Sequence, residues 1–135
     1  MLFVEEIVEK GLINLSGLTD EERPIFYLAY LEQMADMEGW DFFFLYNMDS
    51  YPIVKQLLAS SGDFNSLKVL KSYEDHFREL GVKFSSKEID DFLLEASETY
   101  YHSCPDWRAM FSKIYSERWK LVSKYYGSIG VELKI

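Results

Sequence analysis

Apolar residues recur along most of this chain at intervals of three and four, the spacing that places them on one face of an α-helix. Thr19-Asp20-Glu21-Glu22 fits a capping box, in which a hydroxyl is followed three residues later by a glutamate. It predicts a helix to about Asp36, with Pro24 in the tolerant first turn. On a wheel of about 100° per residue, Tyr27, Leu28, Leu31, Met34 and Ala35 share one face. Glu21, Glu22, Glu32 and Asp36 fall opposite.

Gly39 interrupts that pattern, and the very apolar stretch Trp40 to Asn47 follows. Asp49 or Ser50 suits the cap of a helix with Pro52 in its first turn, ending near Ser61-Gly62. The next helix spans about Asn65 to Leu80, with Gly81 placed to end it in the left-handed region. Its core face is Val69, Leu70, Tyr73, Phe77 and Leu80. Ser85-Ser86-Lys87-Glu88 is a second capping box, followed at helical spacing by Ile89, Phe92, Leu93, Ala96 and Tyr100. Pro105 opens a long last helix that reaches about Tyr126 and stops at Gly127. The tail, Val131 to Ile135, alternates enough for a short strand or an extended arm. With short connections and no repeat, this predicts one all-α domain over residues 1–135, a compact bundle of about five to seven helices with an aromatic core.

Composition agrees with a single packed domain. At 135 residues and 48% hydrophobic content the chain is too apolar for a disordered acidic tail. A net charge of -9 argues against direct nucleic-acid binding, which needs a basic surface. One cysteine excludes an internal disulfide framework. Glu5 and Glu6 interrupt the N-terminal apolar residues too early for a secretory signal. The longest apolar run, Phe42 to Tyr46, is far short of the roughly 20 residues a membrane span needs. The expectation is a cytoplasmic protein.

The charge is unevenly distributed. Residues 1–50 hold 11 acids and 2 bases, and residues 85–105 hold 5 acids and 1 base. The segments 51–84 and 106–135 are mildly basic. Glu88, Asp91, Glu95 and Glu98 advance by three or four residues, a spacing that sets neighbours about 5–6 Å apart on a helix. Glu32 with Asp36, and Glu5 with Glu9, form shorter pairs. Such rows serve solubility, or dock a basic partner by approximating an array of phosphates. Lys113, Lys120 and Lys124 share an outer face of the last helix.

Reaction chemistry leaves little trace. Cys104 in Tyr-His-Ser-Cys-Pro, with His102 two residues before it, reads as a connector at a helix start. His76, at the edge of an apolar face, reads as a core-flanking histidine bonded to backbone. Two histidines and one cysteine give no zinc pattern, and no calcium-loop or phosphate-loop motif occurs, so neither a metal nor a cofactor is expected. Arg118 stands out in the middle of the last helix's apolar face, where a buried guanidinium needs a carboxylate or carbonyl. An acid among the first 50 residues is expected to pair with it, Asp41 being the first choice.

The segment from Gly39 to Asn47 should be the central buried element. Here the chain resembles a bacterial DNA-mimic protein family, number nineteen of its series, whose domain is otherwise of unknown function. The resemblance rests on Glu32, Gly39, Trp40, Phe43, Phe44, Asn47 and the Ser61-Gly62 turn, and covers about Leu18 to Leu80. Glu38 replaces a family glycine, Phe42 replaces a glutamine, and Asn47 comes one residue late. The resemblance implies a helical, non-catalytic protein whose acidic surface imitates DNA and binds a basic DNA-binding protein.

The expected function is therefore that of a non-enzymatic interaction protein. Glu32, Asp36, Glu88, Asp91, Glu95 and Glu98 would face the basic partner, with Gly39, Trp40, Phe43, Phe44, Asn47 and Arg118 in structural roles. An immunity-type or adaptor protein that recognises its partner by shape is the first alternative. A small enzyme using a carboxylate near Trp40 and Asp41 is the second. The sequence leaves a homo-oligomer open.

Overall fold

A computed structural model describes all of residues 1–135 and is all-α apart from one two-residue ladder. The helices are α1 (Val4–Ile13), α2 (Glu22–Met37), α3 (Trp40–Tyr46), α4 (Tyr51–Ser60), α5 (Phe64–Glu79), α6 (Ser86–Glu95), α7 (Glu98–Ser103), α8 (Trp107–Lys113) and α9 (Tyr115–Ser128). Strands β1 (Leu2–Phe3) and β2 (Leu133–Lys134) pair in parallel, Leu2 opposite Leu133 and Phe3 opposite Lys134. The expected tail strand is thus present. No helix is long and apolar enough to cross a membrane.

The all-α bundle is as expected, but it has nine helical segments rather than five to seven. Three local features account for the difference. The first helix, α1, follows β1 directly and had no capping signature to announce it; its cap Phe3 makes no side-chain bond. Ala96 is extended (ψ 141°), and Ser97 caps a new helix by accepting from the Tyr100 N–H, so α6 and α7 are separate. The last long helix divides at Ile114, with Asp106 rather than Pro105 capping α8. At its far end α9 runs through Gly127 to Ser128, and the left-handed turn falls on Gly130 (φ 83°).

Helix α2 is the organising element. It packs against α1, α3, α4 and α8, and Ile25, Leu28 and Leu31 are fully buried. Each such side chain contributes about 1.5–3 kcal/mol through burial. A helix surrounded on several sides has no single outer face, and Glu22 illustrates this. Placed on the polar side by the wheel, it is buried. Its carboxylate accepts from the Thr19 N–H at 2.8 Å while the Thr19 hydroxyl accepts from the Glu22 N–H at 3.2 Å. Lys10 of α1 donates to the same carboxylate at 2.8 Å. The capping box thus also fixes α1 to α2.

Gly39, at φ 101°, turns the chain from α2 into α3. Only glycine adopts that conformation without strain. Trp40, Phe43 and Phe44 then enter the core. Phe44 lies 4.6 Å from Tyr73 between ring centroids and edge-on to Tyr51 at 5.2 Å. Trp40 meets Tyr73 and Phe111 edge-on at 5.8 and 5.4 Å. Such geometries add about 0.5–1.5 kcal/mol per pair beyond burial. Asn47 ends α3, its N–H donating to the Phe43 carbonyl at 2.7 Å.

Candidate functional site

Three places gather the residues expected to matter: a cleft between α2 and α8–α9, the surface of α6 and α7, and a cavity beside Trp40.

The cleft has a volume of about 380 Å³ and is floored by Arg118. Arg118 is only 1% exposed. Its partner is Glu32, not Asp41. Nε donates to Glu32 Oε2 at 2.8 Å, and Nη2 lies 2.6 Å from the same oxygen without alignment for a hydrogen bond. Nη1 donates to the Phe111 carbonyl at 2.9 Å and to the Ser66 hydroxyl at 3.2 Å. The guanidinium carbon sits 3.7 Å from the centre of the Phe111 ring, a cation–π contact. Trp119 donates its indole N–H to Glu32 Oε1 at 2.8 Å. Ser66 is held in turn by the buried carboxylate of Asp63, which accepts from its N–H at 3.0 Å and its hydroxyl at 2.6 Å.

Glu32 is therefore an internal counter-ion, and its expected place on a partner-facing surface is corrected. Burial raises its carboxyl above the usual range, partly offset by Arg118 and then by Trp119. Asp36, one turn on, is exposed and lies 3.4 Å from Arg108 Nη1, a loose surface pair. Sequence reasoning identified the need of Arg118 for an acid. It missed Trp119 and Ser66, because an indole N–H and a serine hydroxyl announce no partner in a sequence.

On α6 and α7 the acids are differently placed. Asp90, Asp91, Glu95 and Glu98 are exposed, and Glu88 is half-buried. The expected single stripe is interrupted, because Glu98 begins α7 beyond the break at Ala96. Nor is it free of bases: Lys87 donates to Asp91 at 2.8 Å. Glu88 receives the hydroxyl of Ser85, so this capping box closes through side chains. Two apolar residues stand among the acids: Leu94, 76% exposed, and Tyr101, 50% exposed with its hydroxyl on the Leu93 carbonyl at 2.8 Å. Neither they nor Asp90 were singled out from the sequence. Helix α6 rests on α3, whereas Glu32 and Asp36 are engaged by α9 and α8. The two acidic sets are thus held by different elements.

Beside Trp40 is a cavity of about 240 Å³ between the start of α3, α7 and the start of α8. Asp41 lines it, accepting a hydrogen bond from the Tyr73 hydroxyl. Burial raises the Asp41 carboxyl, and the Tyr73 bond opposes that. Behind the wall, His76 Nε2 bonds the Tyr100 hydroxyl at 2.8 Å, a side-chain partner where backbone was expected. Burial lowers the His76 imidazole. Cys104 follows the last residue of α7, rather than starting a helix, and donates its thiol to the Tyr100 carbonyl at 3.2 Å.

No protein-family model matches the chain, and comparison with curated proteins and with solved structures finds no match.

Proposed function

We propose that the protein is a non-catalytic interaction module that docks a basic partner on the outer surface of α6 and α7. The observation that carries this reading is the composition of that surface. Five acids and one lysine lie between Ser86 and Ser103, and four of the acids are exposed around Leu94 and Tyr101. Aromatic or aliphatic anchors within a charged rim are the usual anatomy of a protein-binding surface. The carboxylates would steer and orient a basic partner, and Leu94 would be buried on contact. A DNA-binding protein is the specific candidate, in keeping with the resemblance to the DNA-mimic family. The exposed leucine favours a mimic that adds an apolar anchor to its charges.

A catalytic reading near Asp41 has less support. A carboxylate working as acid or base must reach its substrate by a hydrogen bond, and one oxygen of Asp41 already accepts from the Tyr73 hydroxyl.

The test is affinity capture from cytosol at low and at high salt, with the unaltered protein and with a Leu94→Ala, Glu95→Lys, Glu98→Lys variant. A basic protein retained at low salt, released by salt or by added duplex DNA, and lost with the variant is the expected result. Recovery of no basic protein at low salt, or equal recovery by the variant, overturns the proposal.

A further inference from the structure

Three buried polar atoms lack a hydrogen-bond partner, Trp40 Nε1, Ser61 Oγ and Arg118 Nη2, and of these three residues only Trp40 lines the smaller cavity. In the larger cleft, Arg118 and Trp119 both donate to Glu32, and the unaligned Arg118 Nη2 still lies 2.6 Å from that carboxylate. The smaller cavity beside Trp40 differs. Trp40 is only 7% exposed and lines this cavity, and its indole N–H has no acceptor in the protein. A buried donor left without an acceptor costs about 1–3 kcal/mol. Such a group calls for an oxygen from outside the chain.

The surrounding side chains define what that oxygen belongs to. Arg108 also lines the cavity. Its guanidinium is half-exposed and only loosely held, 3.4 Å from Asp36. Arg108 and Trp40 are wall residues whose side chains carry N–H donors that a carboxylate could accept from. Opposing charge comes from Asp41 and Asp106, two further wall residues. Tyr73 occupies one oxygen of Asp41, and the Ala109 N–H occupies one oxygen of Asp106 at 3.0 Å. Tyr100, Tyr101 and Trp107 complete the wall. Carboxylates set among aromatic rings suit an organic ammonium, which gains both ion pairing and cation–π attraction. The volume of about 240 Å³ is roughly eight water volumes, below the size of a drug-sized ligand.

We propose that this cavity binds a small zwitterion joining an organic ammonium to a carboxylate, of amino-acid or betaine size. The carboxylate would lie on Arg108 and the Trp40 N–H, and the ammonium among Asp41, Asp106 and the three rings. This site is independent of the docking surface on α6 and α7, and either reading stands if the other fails.

Four probes separate the arms of the site: glycine, glycine betaine, choline, which has the ammonium alone, and acetate, which has the carboxylate alone. Binding is followed by tryptophan fluorescence and by calorimetry. Glycine or glycine betaine should bind saturably, and choline and acetate at least about tenfold more weakly. Arg108→Gln should weaken the zwitterion about 10–100-fold, the loss of a charged hydrogen bond, with choline little changed. Trp40→Phe, verified as folded by its melting curve, should do the same through the lost N–H. Asp41→Asn should weaken both zwitterion and choline. The proposal is overturned if neither zwitterion binds saturably. It is also overturned if choline or acetate alone binds as tightly, or if Arg108→Gln leaves zwitterion affinity unchanged.

Discussion

The guanidinium of Arg118 holds the carboxylate of Glu32 across 86 residues of sequence, Nε to Oε2 at 2.8 Å, in the packed interior of the protein. This pair ties α9 to α2, while the same arginine reaches α5 through Ser66 and α8 through the Phe111 carbonyl. Four helices thus share one charged node. Removing one member of a buried pair costs about 3–5 kcal/mol, because the other charge is left uncompensated. Arg118→Met should therefore lower the urea-unfolding free energy by about that much. Adding Glu32→Gln, which keeps an acceptor for the Trp119 indole, should recover part of the loss. The double-mutant cycle reads the coupling directly, and additive effects would remove the pair from its structural role.

Two glycines should respond in opposite directions to the same substitution. Gly39 sits at φ 101°, so alanine there meets backbone strain although no atom lies within 4 Å of its added Cβ. Gly39→Ala should cost about 1–2 kcal/mol. Gly127 lies inside α9 with equally open space and no positive φ. Gly127→Ala should stabilise by about 0.5–1 kcal/mol, the helix-propensity difference. Thermal melts of the two variants beside the unaltered protein give both signs.

Asp41 should make stability depend on pH. Its carboxyl is raised by burial, so the folded state binds this proton more tightly than the unfolded chain does. The contribution is fully present below the unfolded value of about 3.9 and is lost as pH rises through the folded value. Asp41→Asn, which keeps an acceptor for the Tyr73 hydroxyl, removes that slope. Its melting temperature relative to the unaltered protein should climb as pH rises from about 4 through the folded value of Asp41. His76, lowered by burial, contributes the opposite slope below about pH 6.5. The difference between the two curves is the quantity to read, above about pH 6.5 especially, because removing the Asp41 charge also alters His76. A flat difference would show that Asp41 titrates alike folded and unfolded.

Much of this architecture is legible in the sequence for local reasons. The Thr19–Glu22 capping box, the glycines at 39, 62 and 81, and the periodic face of α5 each act within a few residues. The divisions at Ala96 and Ile114 were less legible because the apolar period continues across both. Glu32 was misplaced for a different reason. A helical wheel assumes one buried face, whereas α2 is enclosed by several neighbours, and its polar side meets Arg118 and Trp119. The cavity beside Trp40 is assembled from residues 39 to 108, and only the fold brings those segments together.

The ladder between Leu2–Phe3 and Leu133–Lys134 joins the two most distant segments of the chain through only two residue pairs. Its backbone bond from the Leu2 N–H to the Glu132 carbonyl is 2.8 Å, and Ser123 of α9 fastens the Leu133 carbonyl at 3.2 Å. So small a seam is too weak to gather an unfolded chain of this length against the entropy of closing the loop. It can form only once the helices have already brought its edges together. The Leu2 amide is thus a sentinel for finished assembly: its protection from hydrogen exchange reports that everything between the two strands is in place.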